Sequence, residues 1–195
     1  PRLIVLRWRG GKEGAAPTAL VGKGVCFDTG GYNIKTGPGL KVMRSDMAGA
    51  AAVCGAVMAL AQNRVPVNVT AVIPAVENRI SPESMVPGDI VTSMSGKTIQ
   101  INNTDAEGRL ILADAVTYAI QRENAAQVVD IATLTGACVA ALGHLTAGLV
   151  SNDDALCNAL LDAAARAGEQ YWRFPTFPEY KKMIESPVAD LCNQS

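Results

Sequence analysis

Residues 102–115 read NNTDAEGRLILADA, which sets Asp105, Glu107 and Arg109 at alternate positions just ahead of an apolar run. Two other stretches mix acids and bases among glycines. GKGVCFDTGGYNIK carries Lys23, Asp28 and Lys35, and MRSDMAG carries Asp46. Carboxylates in such settings can cap helices, hold divalent cations or move protons. If residues 105–109 are extended, the side chains of Asp105, Glu107 and Arg109 all point to one side, two carboxylates beside a guanidinium. Each cluster also has a plain structural reading. TDAE fits a capping box with Thr104 as N-cap and Glu107 at N3. Asp46 can complement the positive end of a helix, and DTGG can be a turn. Together the four carboxylates resist that reading. Anions gathered in a poorly solvated cleft repel unless a cation neutralises them. Carboxylates shared between two divalent ions about 3.5–4 Å apart make a hydrolytic arrangement that needs no histidine, and this chain has only one, His144.

Competing motifs fail on spacing. SGKT at 95–98 resembles the end of a phosphate-binding loop, but Val91 stands where that motif needs glycine, and strand-like residues follow. The glycine-rich stretch after Asp28 lacks GxGxxG spacing, so a dinucleotide site is not supported. His144 has no HExxH partner, and no GxSxG places a nucleophilic serine.

The elements that must position these residues alternate strand and helix. RLIVLRW, TALVGKGVCF, VPVNVTAVIPAV and AQVVDIATL read as strands, the second nearly continuous in apolar residues as a strand covered on both faces would be. DIVTSMSGKTIQI reads as a hairpin around a Ser-Gly turn. Helices are expected from Asp46 onward, over RLILADAVTYAIQRE, and over DDALCNALLDAAARAGE. This alternation argues for an α/β fold with a largely parallel sheet. In such sheets sites lie beyond the carboxyl ends of the strands, where all three polar clusters fall. The proline-punctuated tail FPTFPEYKKMIESPVADLCNQS shows no closing strand, and both ends suggest a piece of a longer protein.

Composition narrows the function classes. With 195 residues, 49% of them hydrophobic, the chain can bury a real core as one domain or most of one. A net charge of −1 gives no reason to expect nucleic acid or an anionic membrane as partner. No apolar run reaches the roughly 18 residues that a membrane span needs. The five cysteines are scattered and form no CxxC pair, which suits small buried hydrophobes in a reducing, cytoplasmic setting.

The three polar segments, in order and spacing, resemble those of the leucyl aminopeptidases, the cytosol aminopeptidase family, most clearly from about Leu20 to Gly143. The resemblance implies a three-layer α/β catalytic domain with a mixed central sheet and helices on both faces. It implies two divalent metal ions, Zn2+, Mn2+ or Mg2+, held by Lys23, Asp28, Asp46, Asp105 and Glu107, with Asp28 and Glu107 bridging. Lys35 and Arg109 match the catalytic positions that bind no metal, and Arg109 would hold a bicarbonate. Met43 matches a residue lining the pocket for the first side chain, and Thr133 and Leu134 match backbone contacts to bound peptide. The implied substrates are peptides with a free N-terminus, and the implied assembly of the parent is a homohexamer. Family members carry a separate N-terminal domain and further catalytic-domain elements, so residues 1–195 are expected to be a catalytic-domain fragment, with weak or no activity alone. The alternatives are a non-catalytic metal-binding or assembly module and, last, a Mg2+-dependent phosphotransfer site.

Overall fold

The computed structural model describes all 195 residues. In chain order the elements are β1 (Arg2–Arg9), β2 (Thr18–Gly22), β3 (Gly24–Asp28), α1 (Ala48–Gln62), β4 (Asn68–Asn78), β5 (Ile90–Thr92), β6 (Thr98–Gln100), α2 (Glu107–Gln121) and β7 (Gln127–Ile131). There follow α3 (Gly136–Leu142), β8 (Thr146–Leu149), α4 (Asp154–Ala167), β9 (Gln170–Arg173) and β10 (Leu191–Cys192). They divide into two compact units, one of residues Pro1–Leu134 and Ile184–Ser195, the other of Thr135–Met183.

The first unit is built on a five-stranded sheet in the order β1-β4-β2-β7, with β3 also paired to β4. Only β1 runs antiparallel to its neighbour; the other pairings are parallel. Alternation along the strands sends side chains to two covered faces. Val69, Ala71 and Ile73 of β4 meet Ala50, Val53 and Val57 of α1. Val72 of β4, with Ala19 and Val21 of β2, meets Leu112, Ala115 and Ala119 of α2 on the opposite face. The result is the expected three-layer α/β arrangement. Residues 37–62 reach membrane-span length by composition. They are not one continuous α-helix, since a 3-10 segment ends at Ser45 before α1, and α1 packs one face, with Ala50, Val53 and Val57, on the sheet.

TALVGKGVCF, expected as one strand, is two. The β2–β4 ladder runs to Val21 opposite Val72 and resumes with Gly24 opposite Ala75. Pro74, which has no N–H to give a ladder, lies in the gap. At the break the Lys23 N–H turns to Ile131 O (3.0 Å), and its carbonyl accepts from Ala50 N (3.0 Å). Lys23 is thereby freed from β4 and tied to β7 and α1. The tail also differs from expectation: β10 closes onto β6 in parallel, beside the antiparallel β5–β6 hairpin. The cysteines are all free, but only Cys157 and Cys192 are buried and Cys26 is exposed, because its place on β3 faces outward.

The second unit holds α3 and α4 with a parallel pair, β8 and β9. Helix α4 has both expected ends: Asp153 caps the Leu156 N–H at 3.0 Å, and Gly168 closes it in the left-handed conformation.

Candidate metal centre

Parallel strands in one sheet deliver their carboxyl ends to one edge, and this edge gathers the polar residues. Asp28 ends β3, Asn78 ends β4, Lys23 follows β2 and Thr133 follows β7. The N-termini of α1 and α2 bring Asp46 and Glu107 to the same place. Lys23, Asp28, Asp46 and Glu107 are all buried.

Two ammonium groups thread the carboxylates. Lys23 Nζ lies 2.8 Å from Asp46 Oδ2 and 2.9 Å from Glu107 Oε1. Lys35 Nζ lies 3.0 Å from Asp28 Oδ2 and 2.5 Å from Asp105 Oδ1. The cation that four crowded anions demand is thus supplied from within, which motif reading did not foresee. Two ammonium groups against four carboxylates still leave the cluster short of positive charge. Burial raises the Glu107 and Asp105 carboxyls above their ordinary values, more than the lysines beside them can offset. Burial would lower Lys23 and Lys35, but their carboxylate partners outweigh it and hold both above the usual lysine range. All four shifts run upward, those of the acids through burial and those of the lysines through their carboxylate partners.

Its geometry suits a metal. Asp28, Asp105 and Glu107 each present a carboxylate oxygen, all within 4.8 Å of one another. Asp46 Oδ2, Asp105 Oδ1 and Glu107 Oε1 are buried with no hydrogen bond, the lysines touching them outside hydrogen-bonding angles. Buried carboxylate oxygens rarely remain so without an ion to take them.

The start of α2 differs from both sequence readings. Residues 105–109 are not extended: Thr104–Ala106 form a 3-10 turn and the α-helix begins at Glu107. Nor does Thr104 cap it. Asn103 instead caps the 3-10 turn, accepting from the Asp105 N–H at 2.7 Å, and α2 itself has no side-chain cap. Thr104 Oγ1 reaches across to donate to Gly30 O (2.6 Å) and accepts from the Asn33 N–H (2.8 Å), locking this loop to the one after β3. A long-range partner has outcompeted the local cap. Gly30 and Gly31 turn with φ of +86° and +63°, where a side chain is strained, and a Cβ on Gly30 would stand 3.1 Å from Asp105 Oδ1.

The remaining expected residues sit around this cluster. Thr133 contacts it directly, its carbonyl accepting from Lys23 Nζ (3.1 Å) and its hydroxyl donating to Asp46 Oδ1 (2.7 Å). Leu134 is half-exposed beside Gly108, whose missing side chain makes room for the Lys23 ammonium. Met43 lies in the 3-10 segment before Asp46 and touches the group through its carbonyl, which accepts from the Asp46 N–H at 3.3 Å. Arg109 pairs with none of the carboxylates; its Nη1 donates to Asn193 O at 2.7 Å. Sequence reasoning missed three asparagines, Asn78, Asn103 and Asn193. Asparagine carries no charge to attract notice, and only the EN at the end of a buried strand pattern marked Asn78 as unusual.

A family model described as the cytosol aminopeptidase family, catalytic domain, matches residues 1–195. A probable cytosol aminopeptidase of Alkaliphilus oremlandii is 53% identical over 193 residues, which are 99% of this chain and 38% of that protein. Among solved structures, the cytosol aminopeptidase of Coxiella burnetii matches with a TM-score of 0.91 at 46% identity, over 99% of this chain and 42% of its own. The leucine aminopeptidase of Caenorhabditis elegans matches with a TM-score of 0.93 at 40% identity, over 97% and 39%. The chain therefore spans about two fifths of the length of the curated relatives it matches.

Proposed function

Because the chain belongs to the cytosol aminopeptidase family, we propose that it carries the metal centre and catalytic side chains of an aminopeptidase that removes N-terminal residues, leucine-type ones favoured, from peptides. The observation that supports this most is the set of Asp28, Asp105 and Glu107, the first and last buried and Asp105 partly so, with oxygens mutually within 4.8 Å and partly without hydrogen bonds. In this reading Lys23, Asp28, Asp46, Asp105 and Glu107 would hold the two ions. Two divalent cations would supply a polarised carbonyl and a water acidic enough to attack near neutral pH. Oxygen ligands with one amine suit Zn2+, Mn2+ or Mg2+.

The chain's own residues do the rest. Lys23 would ligate only as the neutral amine, giving up to solvent the proton that now pairs it with Asp46 and Glu107. Lys35, the more accessible of the two lysines at 22% side-chain exposure, places a fixed positive charge where an oxyanion develops. Arg109 is braced by Asn193 O through Nη1, and its remaining donors suit an anion such as bicarbonate that moves protons. Met43, Thr133 and Leu134 flank the peptide. The parent protein is a cytoplasmic homohexamer in this reading, and residues 1–195 are part of its catalytic domain.

A paired assay on the parent protein tests the proposal: metal content per chain, then hydrolysis of a leucyl chromogenic amide against its N-acetylated form. About two ions per chain and activity confined to the free amine are expected. Metal binding without such activity would turn the reading to a non-catalytic module. Asp105→Asn and Glu107→Gln should each abolish turnover with the fold intact, and normal turnover in either would sink the ligand assignment.

A further inference from the structure

One side chain joins carboxylates from two different elements without adding charge. Asn78, the last residue of β4, is buried. Its Nδ2 lies 2.8 Å from Asp28 Oδ1, 3.2 Å from Glu107 Oε2 and 3.0 Å from Thr104 O. A primary amide has two hydrogens, so three acceptors share two donors, and the group is fully committed to this edge of the sheet.

These contacts sort the oxygens of both acids. Asp28 Oδ1 takes Asn78 and the Gly30 N–H (2.9 Å), leaving Oδ2 to face Lys35. Glu107 Oε2 takes Asn78, leaving Oε1 buried, without a hydrogen bond, against Lys23. The free oxygens are those that meet cations. An acid at position 78 would add to the repulsion, and a lysine would fill the charge deficit before any metal could. A neutral donor orients the acids and leaves their charge available. The Asn78 backbone is held separately, its carbonyl accepting from Thr29 N (2.9 Å) and Thr29 Oγ1 (2.8 Å), so truncating the side chain need not release the strand.

We propose that Asn78 is a positioning residue of the metal centre, holding Asp28 and Glu107 so that Oδ2 and Oε1 face the ions. This rests on the metal-centre reading above. Titration of the metal-free parent protein and its Asn78→Ala variant with Co2+, followed by d–d absorption, tests it. Expected is a variant with native far-UV circular dichroism, an apparent Co2+ affinity lowered about 10–100-fold, and an altered absorption envelope. Wild-type affinity and spectrum in the folded variant would overturn the inference. Asn78→Ser, too short to reach both acids, is read the same way if the alanine variant does not fold. Loss of the fold in both, even at saturating Co2+, also overturns it, because Asn78 then serves the framework and not the acids. A wild-type protein that binds no Co2+ is a different outcome, since it removes the metal centre itself.

Discussion

At the scale of single residues, the centre is a charge imbalance maintained by packing. Four acids are held where two lysines cannot fully neutralise them, and folding bears the cost. The raised Glu107 carboxyl gives that cost a sign. A group whose folded pKa lies above its unfolded value, here an ordinary 4.5, stabilises the fold most below that value. The contribution is lost as pH rises through the folded pKa. Asp105 acts in the same direction from its ordinary 3.8. Metal-free protein should therefore lose stability through these two acids as pH climbs from about 4 toward neutrality. Glu107→Gln should flatten that fall and raise the metal-free Tm at pH 7 by about 2–4 °C, the equivalent of ~1 kcal/mol in a chain of this size. Thermal scans of both proteins in chelator across that range check it. A Tm lowered at pH 7 would mean that the Lys23 ion pair outweighs the repulsion.

At the scale of elements, the strands of the five-stranded sheet, the β5–β6 hairpin and helices α1, α2 and α4, but not α3 or β8 to β10, were legible because burial leaves a periodic trace. The loops were not. TDAE satisfies a capping box on paper, but Thr104 found Gly30 and Asn33, more than seventy positions away, and Asn103 caps a 3-10 turn ahead of the helix. Position 23 reads as mid-strand until Pro74 is seen to interrupt the ladder beside it. No local rule contains either fact. The same applies to the link between β1 and the end of α2. Arg7 forks onto Glu123 with contacts of 2.7 and 2.5 Å, and Arg9 stands 3.7 Å away. The Glu123 side chain is 5% exposed, and the hydrogen bond to Arg7 leads the causes that pull its carboxyl below the ordinary 4.5. Here the sign is opposite to that of Glu107. The stabilisation is complete above the ordinary value and disappears as pH falls through the lower folded one. Glu123→Gln should cost about 1–2 kcal/mol at pH 7, the half-exposed guanidinium discounting the usual charged bond. The gap between variant and wild type should narrow from pH 7 to pH 3. Urea melts at both pH values decide it, and an equal loss at both would assign the effect to packing.

At the scale of the whole chain, the site residues recognisable by motif were those that carry charge, while the residues that hold them in place were not. Sequence separation hid the most connected of these. Asn193 stands near the end of the chain, yet β10 returns it to the first unit beside residues 102–106. Its Oδ1 accepts from Asn102 N (2.8 Å) and Asn103 N (3.2 Å), and its Nδ2 donates to Asn103 O at 2.6 Å. Its own carbonyl receives Arg109. No local pattern could tie this side chain to loop partners 90 and 91 positions earlier; the closing strand brings it there. Asn193→Ala leaves part-buried backbone groups of the loop unpaired, each worth at most about 1–3 kcal/mol, and relaxation and entering water will recover part of the sum. A net loss of about 2–4 kcal/mol in urea unfolding is expected. Asn193→Asp keeps the acceptor and loses the donors, so it should fall between wild type and alanine. Amide exchange locates the effect. Asn102 and Asn103 should exchange faster in the alanine variant, while the amides of α4, in the other unit, keep their wild-type rates. Unchanged exchange at Asn102 and Asn103 would show that the loop is held by Asn33 and Asn103 without help from the tail.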